Sequence, residues 1–382
     1  MLAAATGRRI AQHGWPVGGG AVGLGSVPVF ITSRRIDLTK RHALTISRGT
    51  ITGSTNVVVT VVHDGVSGRG EMAPSDVTGD TAASAEADLA EWAAALHDLA
   101  PDEFERIDAA LRSIGALDGG AVRAALDMAC HDWWGRSLGR PVWRLLGLDF
   151  TKVPATSLTI GINPPAVIRD VVPEILLRTR AKYLKVKLGQ PAGIEADQDM
   201  FVAVQKAARM TGLVPQWRVD ANGGWDVPSA QMMIEWLADR GVIEVEQPLA
   251  VGNEDGLPFL YRVTTVPIFA DESVRVASDV ADIADRVHGV NLKLMKCGGL
   301  REGLRIIHTA RAHGLKVMIG CMGESSLAIS AGAQLAPLVD AVDLDSHLNL
   351  LDDPFVGASY VDGRVGPNDL PGLGVSDRGG VQ

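Results

Sequence analysis

Three acidic residues stand at regular intervals in the second half of the chain, each directly after a short apolar run. They are Asp220, Glu246 and Asp271, spaced by 26 and 25 residues. Three carboxylate oxygens on neighbouring strands, with room left for water and a ligand, suit a hard divalent cation, Mg²⁺ by preference. No His or Cys ends these runs to favour zinc. A helix-capping role would explain any one acid, but three in succession predict a Mg²⁺ site.

Lysines end the apolar runs on either side of these acids. Lys185 and Lys187 are two residues apart on a predicted strand, so both face the same side, and Lys293 ends a later run. Burying an inward-facing lysine costs free energy, so such a lysine is expected to serve a function. The alternative is that these lysines lie at the surface with their charged groups in solvent. We expect Lys185 and the cation to lower the pKa of Lys187 towards that of a general base. Lys296 is predicted to be a solvated residue on the side of a helix.

A cation flanked by lysines suits the abstraction of a proton next to a carboxylate. Such a proton is barely acidic, so the developing ene-diolate needs the stabilisation that a metal can supply. One base would permit elimination or ring closure. Two bases, one on each face, would permit a proton to be removed from one side and returned from the other, which is racemisation or epimerisation.

The positions of these residues follow from a repeated pattern of apolar runs between Tyr183 and Asp345. Successive markers are separated by 33, 26, 25, 22, 25 and 25 residues; the markers are Lys187, Asp220, Glu246, Asp271, Lys293, Met318 and Asp343. A strand, a helix and two loops fill such an interval, so the pattern predicts βα units. With Ala155–Ile162 as the first strand the total is eight, which predicts a (β/α) barrel with its active site at the strands' C-terminal ends. Strands two and six are then opposite each other.

The remaining sequence predicts a second domain of a different kind. Residues 29–64 alternate as in an antiparallel meander, and residues 82–147 have helical spacing, so strands and helices occur in separate blocks. We therefore expect an α/β protein with three parts. These are a flexible extension at residues 1–27, an α+β capping domain at 28–150 joined by the C-terminal segment 354–382, and a catalytic barrel at 151–353.

The composition excludes several classes of partner. The chain has 382 residues and a net charge of -9, which argues against nucleic acid or an acidic membrane surface as partner. No apolar run is long enough to span a bilayer. The three cysteines have no metal-ligand spacing, which predicts a reducing cytoplasm. We expect a cytoplasmic enzyme of small molecules, forming a homo-oligomer.

Five segments in order resemble the enolase superfamily, in the muconate-lactonizing subgroup that has a Lys-x-Lys on strand two and a Lys on strand six. The segments are Leu184–Leu188, Val219–Asn222, Val245–Pro248, Ala270–Ser273 and Asn291–Gly299. The resemblance covers about Val29 to Gly374. It implies an α+β capping domain and a (β/α)7β barrel, with Mg²⁺ held by the three acids and the lysines as catalytic groups.

Within this subgroup the chain is most similar to the dipeptide epimerases. Asp343 and Asp345 resemble the Asp-x-Asp with which those enzymes hold the α-ammonium group of the substrate, and a carboxylate pair suits an ammonium. The segment that contains Glu324 resembles their seventh strand, and the resemblance implies substrate binding by Glu324 and Asn222. Arg48 resembles an arginine that meets the glutamate side chain in L-Ala-D/L-Glu epimerases, and it could bind that carboxylate bidentately. A solvated loop arginine is the alternative.

The sequence thus predicts a Mg²⁺-dependent dipeptide epimerase, with L-Ala-D/L-Glu as the expected substrate and Lys187 and Lys293 as the two bases. Two alternatives remain open. One is another activity of the subgroup, such as N-succinylamino-acid racemase, o-succinylbenzoate synthase or a cycloisomerase. The other is a non-catalytic barrel that binds amino-acid-like ligands.

Overall fold

A computed structural model describes residues 27–75, 77–116 and 119–379 of the chain. The predicted N-terminal extension, residues 1–27, lies outside the described part except for Val27. Among the described residues no helix has both the length and the apolar character needed to cross a membrane.

The first structural unit is a three-stranded antiparallel sheet covered by helices. Its strands pair in sequence order and are β1 (Phe30–Ile46), β2 (Gly49–His63) and β3 (Val66–Met72). Asp64 and Gly65 both have positive φ, 48° and 72°, which closes the tight turn between β2 and β3. The helices that follow are α1 (Ala82–Leu96), α2 (Phe104–Ser113), α3 (Ala121–Ser137) and α4 (Val142–Leu145). The predicted meander and helical block are both present.

Helix α3 lies unusually close to β3 because that strand carries glycine at two positions facing the helix. A Cβ atom added to Gly70 would lie 2.8 Å from Ala129 N and closer still to Ala125 O, both of them backbone atoms. A Cβ on Gly68 would meet the backbone of Ala129 in the same way. No rotamer change can relieve a clash with the backbone, so the helix and the sheet would have to separate.

Gly70→Ala is therefore expected to lower the free energy of unfolding by about 3 kcal/mol or more, the upper end of overpacking costs. Chemical denaturation monitored by circular dichroism measures this change. Gly366→Ala is the matched control, because a Cβ at Gly366 meets no atom within 4 Å. Equal stability of the two variants would show that α3 does not constrain β3.

Eight parallel strands form the second unit, a barrel. They run in the order of the chain, and a bridge between Thr156 and Val342 joins the first strand to the last. The strands are β4 (Ser157–Ile160), β5 (Tyr183–Lys187), β6 (Gln216–Asp220), β7 (Val242–Glu246), β8 (Ile268–Ala270), β9 (Gly289–Lys293), β10 (Lys316–Gly320) and β11 (Ala341–Asp343). Strands β5 and β9 are four places apart in this ring of eight and therefore lie opposite each other.

Helices alternate with these strands as predicted. They are α5 (Pro165–Thr179), α6 (Ile194–Met210), α7 (Val227–Ala238), α8 (Leu257–Val263), α9 (Ala277–Ile283), α10 (Leu294–Cys297), α11 (Leu300–Ala312) and α12 (Ser326–Leu335). A single 3-10 turn, Ser346–Asn349, follows β11, so the unit is a (β/α)7β barrel. The first strand is shorter than the predicted Ala155–Ile162, and the last ends at Asp343 instead of near Asp345.

The C-terminal segment returns to the helices of the first unit. Leu373 N donates a hydrogen bond of 2.8 Å to Asp132 Oδ1 in α3, and Gly372 forms a bridge with Pro141. Short strands also lie here: β12 (Phe355–Val356), β13 (Ser359–Val361), β14 (Arg364–Gly366) and β15 (Ser376–Asp377). The assignment of residues 354–382 to the capping domain is one of the predictions made from the sequence. The domain boundaries at residues 27, 150 and 353 stay a prediction.

Candidate active site

The three predicted metal ligands meet at the C-terminal ends of neighbouring barrel strands. Asp220 ends β6, Glu246 ends β7 and Asp271 directly follows β8. One carboxylate oxygen from each lies within 4.8 Å of the others, and the three side chains are at most 1% exposed. Burial, and then the charge of Asp220, raise the pKa of Glu246 well above its ordinary value. Three buried, convergent carboxylates fit a hard divalent cation, which would offset their mutual repulsion.

Two lysines flank the acidic cluster from opposite sides of the barrel. Lys187 Nζ, on β5, lies 2.5 Å from Asp220 Oδ2, and Lys293 Nζ, on β9, lies 2.6 Å from Asp271 Oδ2. Burial is the largest single influence on the pKa of Lys293 and lowers it, but Asp271 and Glu246 together outweigh burial and raise this pKa. Lys187 and Lys293 thus lie on opposite sides of the acidic cluster.

Lys185 is buried between acids. Its Nζ lies 3.1 Å from Glu246 Oε2 and forms an ion pair with Asp343. Burial lowers the pKa of Lys185, but Asp343 and then Glu246 more than compensate and hold it well above its ordinary value. Lys185 therefore carries a fixed positive charge that links the acidic cluster to β11.

Lys296 contradicts the prediction of a solvated residue on a helix. It is 1% exposed, and its Nζ lies 2.6 Å from Asp271 Oδ1 and 3.0 Å from Asn291 O. The reason is local: α10 has only four residues before the chain turns at Gly298, whose φ is 92°. Such a short helix folds back over the end of the barrel, so Lys296 points to Asp271 and not to solvent.

Asp343 and Asp345 both line the cavity above the acidic cluster, but they do not share a strand, because β11 ends at Asp343. Asp343 accepts a 2.6 Å hydrogen bond from Ser157 Oγ, and Asp345 accepts one of 2.6 Å from Thr159 N. Burial and the neighbouring Asp343 raise the pKa of Asp345 to about 6. Against the effect of burial, Lys185 lowers the pKa of Asp343. Asp343 is therefore the charged member of the pair over a wider pH range.

Glu324 follows β10 and is 2% exposed. Its Oε1 accepts a 2.8 Å hydrogen bond from Met322 N. Burial raises the pKa of Glu324 to about 8, although Lys293 acts in the opposite direction. At neutral pH Glu324 is accordingly a protonated acid that can donate a hydrogen bond.

Sequence reasoning missed Glu71, a fully buried acid of β3 that fixes the loop carrying Glu324. It accepts hydrogen bonds from Ser325 N at 3.0 Å, Ala328 N at 3.2 Å and Asn56 Nδ2 at 2.6 Å. Glu71 thereby satisfies the first amide groups of α12 from the capping sheet. The one signal in the sequence was that Glu71 is the single acid of the segment that forms β3.

Arg48 reaches the mouth of the barrel but is already paired. Its guanidinium donates to Glu272 Oε1 at 2.8 Å and to Asn222 O at 3.0 Å. Asn222 Nδ2 in turn donates to Asp220 Oδ2 and to Glu272 Oε1, each at 3.2 Å. Glu272 was not predicted as a site residue. It links the predicted Arg48 and Asn222 into one group at one end of the cavity.

These residues surround a cavity of about 390 Å³ between the capping sheet and the barrel. Lysines and acids form its barrel side, and the cap side combines apolar residues with polar ones. The apolar residues are Leu44, Ile46, Ile51, Pro74 and Val77, and the polar ones are Lys40, Arg48, Ser54, Thr55 and Ser75. A second space of about 620 Å³ adjoins it, and Arg48, Val77, Asn222 and Glu272 line both. The Arg48–Glu272 ion pair thus stands between the two spaces. The main cavity can hold a small molecule that has polar groups at its ends and an apolar side chain facing the cap.

Two family models match this chain. The model for the mandelate racemase / muconate lactonizing enzyme N-terminal domain matches residues 29–147, and the model for the enolase C-terminal domain-like family matches residues 170–378.

Similar proteins share the whole architecture. A hydrophobic dipeptide epimerase of Roseobacter litoralis is 50% identical over 339 residues, which is 88% of this chain and 96% of that protein. An L-Ala-D/L-Glu epimerase of Bacteroides thetaiotaomicron is 36% identical over 89% of this chain and 85% of its own length. The crystal structure of a dipeptide epimerase from Enterococcus faecalis, complexed with Mg and L-Leu-L-Tyr, is 31% identical with a TM-score of 0.84, covering 92% of this chain and 99% of that one.

Proposed function

Because this chain belongs to the enolase superfamily, in the mandelate racemase / muconate lactonizing enzyme family, we propose that it is a Mg²⁺-dependent dipeptide epimerase. The observation that carries the proposal is the pairing of Lys187 and Lys293, from opposite strands, with different members of one acidic cluster. The names of its relatives, among them hydrophobic dipeptide epimerases at 50% and 45% identity, support the same activity.

In this proposal Asp220, Glu246 and Asp271 hold Mg²⁺. When bound, the ion supplies positive charge that stabilises the ene-diolate form of the substrate's carboxylate. Lys187 and Lys293 then face opposite sides of the α-carbon of the second residue. One takes the α-proton and the other returns a proton from the opposite side, which inverts the configuration. A cation held by Asp271 would weaken the ion pair that raises the pKa of Lys293, so this lysine could then act as a neutral base.

The remaining polar groups position the dipeptide. Asp343 and Asp345 hold the α-ammonium group, and Lys185 fixes Asp343 by their ion pair. Glu324, protonated below about pH 8, donates a hydrogen bond to the substrate's carboxylate. We further propose that the enzyme is cytoplasmic and forms a homo-oligomer.

The pH dependence of kcat/KM should show the titration of the Asp345 carboxyl group. Its pKa of about 6 means that it loses its negative charge as the pH falls, and a neutral group holds an ammonium weakly. We expect kcat/KM for a dipeptide to fall below about pH 6, and Asp345→Asn to lower kcat/KM at higher pH while flattening this acid limb. An unchanged acid limb in Asp345→Asn would assign the limb to another group.

The second residue of the dipeptide is proposed to carry an apolar side chain. Leu44, Ile46 and Ile51 form an apolar part of the cap side of the cavity, and Arg48, the expected partner of a glutamate side chain, is paired with Glu272, whose side chain is 8% exposed. L-Ala-D/L-Glu remains the second candidate, because Arg48 does line the cavity and could exchange its partner.

Glu272→Gln should distinguish these substrates. Freeing Arg48 is expected to raise kcat/KM for L-Ala-L-Glu relative to L-Ala-L-Leu by about tenfold, the value of one charge-assisted hydrogen bond. Coupled assays of both dipeptides measure the ratio, and Glu195→Gln, at an exposed position of α6, is the matched control. A wild-type preference for L-Ala-L-Glu that Glu272→Gln leaves unchanged would favour the glutamate substrate.

A dipeptide library incubated with the enzyme and Mg²⁺ in D₂O tests the activity itself. A mass increase of one unit at the α-position of the second residue, together with both epimers, is the expected result. Turnover of N-succinylamino acids with no exchange of dipeptides would favour the other activities of the subgroup. Asp343→Asn should impair only dipeptide turnover. Dipeptide binding without any deuterium uptake would support the non-catalytic barrel.

A further inference from the structure

Among the residues that the structure describes, one cation of the cavity has no anionic partner. Five cationic side chains line the cavity, namely Lys40, Arg48, Lys185, Lys187 and Lys293. Each of the last four forms an ion pair within 4.0 Å with an acid of the site. Within residues 27–75, 77–116 and 119–379, Lys40 Nζ makes neither an ion pair nor a hydrogen bond, although the residue is only 9% exposed.

Lys40 lies in β1 and reaches the barrel near the loop after β10. A Cβ added to Gly323 would lie 4.0 Å from Lys40 Nζ, which places the ammonium over that loop. Burial lowers the pKa of Lys40, and within the described part of the chain Cys321 and Asp345 act against burial. Asp345 is engaged by Thr159 N, and its carboxylate is beyond ion-pair distance of Lys40. A buried ammonium without a partner is costly, so a carboxylate bound beside Lys40 would relieve this cost.

The position of Lys40 indicates which part of a bound dipeptide it would contact. Asp345 belongs to the pair that is proposed to hold the α-ammonium, whereas Arg48 and Asn222 belong to a separate group with Glu272. The residue of the dipeptide next to the α-ammonium is the first one. In the proposed binding mode its side chain therefore lies nearest to Lys40, while the reacting α-carbon of the second residue lies between Lys187 and Lys293.

We propose that Lys40 forms a subsite for a carboxylate on the side chain of the first residue of the dipeptide. This inference rests on the proposed function and deepens it. The enzyme should favour L-Glu or L-Asp over their uncharged counterparts L-Gln or L-Asn at the first position, with an apolar second residue.

The experiment compares L-Glu-L-Leu with L-Gln-L-Leu, which differ in charge but hardly in shape. Wild-type kcat/KM is expected to be about 30-fold higher for L-Glu-L-Leu, because the acid alone can pair with a desolvated ammonium. Lys40→Met should bring the ratio close to one, and Lys40→Arg should restore most of it. Lys206→Met, at an exposed position of α6, is the control and should keep the wild-type ratio. Thermal melting verifies that each variant is folded.

Calorimetric Kd values for the same two dipeptides give a second readout that needs no turnover. Failure of the proposed function would appear as absence of α-proton exchange in every dipeptide, while the Kd ratio would still report on Lys40. A wild-type ratio near one, or a Lys40→Met variant that weakens both dipeptides alike, would overturn the inference. The latter result would mean that Lys40 acts on Asp345 and not on the side chain of the first residue.

Discussion

Lys187→Ala and Lys293→Ala are each expected to lower the rate of dipeptide epimerisation by at least about 10³-fold. Each lysine is the only proposed base on its side of the α-carbon, and the loss of a positioned base typically costs 10²–10⁴-fold. The two side chains lie 2.5 and 2.6 Å from different acids of the cluster, so neither is placed to take over the function of the other. Optical rotation or chiral chromatography measures the rate.

Deuterium exchange should separate the two bases. A variant that keeps one lysine can still remove and return a proton on that side, so each variant should exchange the α-proton of one epimer only, and the two variants should act on opposite epimers. Lys206→Ala is the matched control. Retention of Mg²⁺-dependent thermal stabilisation would show that the metal site is intact. Near wild-type epimerisation by both variants would exclude the two-base scheme.

Glu246→Gln is expected to abolish both activity and stabilisation by Mg²⁺. In the wild-type protein Mg²⁺ at 100 times its Kd should add about 2.7 kcal/mol to the free energy of unfolding, since it binds only the folded state. Without the cation, the three carboxylates are buried and repel one another, and Glu246 has a strongly raised pKa. In EDTA the variant should therefore have a Tm equal to or above that of the wild-type protein. Addition of Mg²⁺ should not raise the Tm of the variant.

Glu244→Gln is a matched control for this experiment. Glu244 lies two residues earlier on β7, where it pairs with Arg218 at 3.2 Å and takes no part in the acidic cluster. Its variant should lose stability but keep the full response to Mg²⁺. Differential scanning fluorimetry with a series of Mg²⁺ concentrations measures both variants. A wild-type response in Glu246→Gln would place the cation elsewhere.

The barrel and its ring of charged residues could be predicted because both depend on short-range patterns. A buried parallel strand is a continuous apolar run, and its C-terminal end is marked by the first charged residue. The pattern therefore placed Asp220 and Glu246 at strand ends, as observed. The end of the last strand could not be predicted, because Asp345 continues the alternation of β11 although it lies in the following loop.

The pairing within the site could not be predicted, because it joins residues that are far apart in the sequence. Arg48 and Glu272 are separated by 224 residues, and Glu71 and Ser325 by 254. No periodic pattern in the sequence indicates such contacts. The prediction for Lys296 was wrong for another reason. A four-residue helix is too short to show a periodic pattern of apolar residues, so the sequence does not indicate which side of it is buried. Substrate preference depends on these contacts, and for that reason the sequence indicated it less well than the fold.

The return of the C-terminal segment to the capping helices imposes an order on folding during synthesis. Asp132 in α3 is fully buried and is satisfied by Arg69 N, Arg136 and, only at the far end of the chain, Leu373 N. The capping unit leaves the ribosome first, but it lacks one of the partners of a buried carboxylate until more than 200 further residues have emerged. We therefore expect the capping unit to complete its packing only after the barrel has been made. The unit that shapes the substrate pocket would thus be synthesised before the barrel and completed after it.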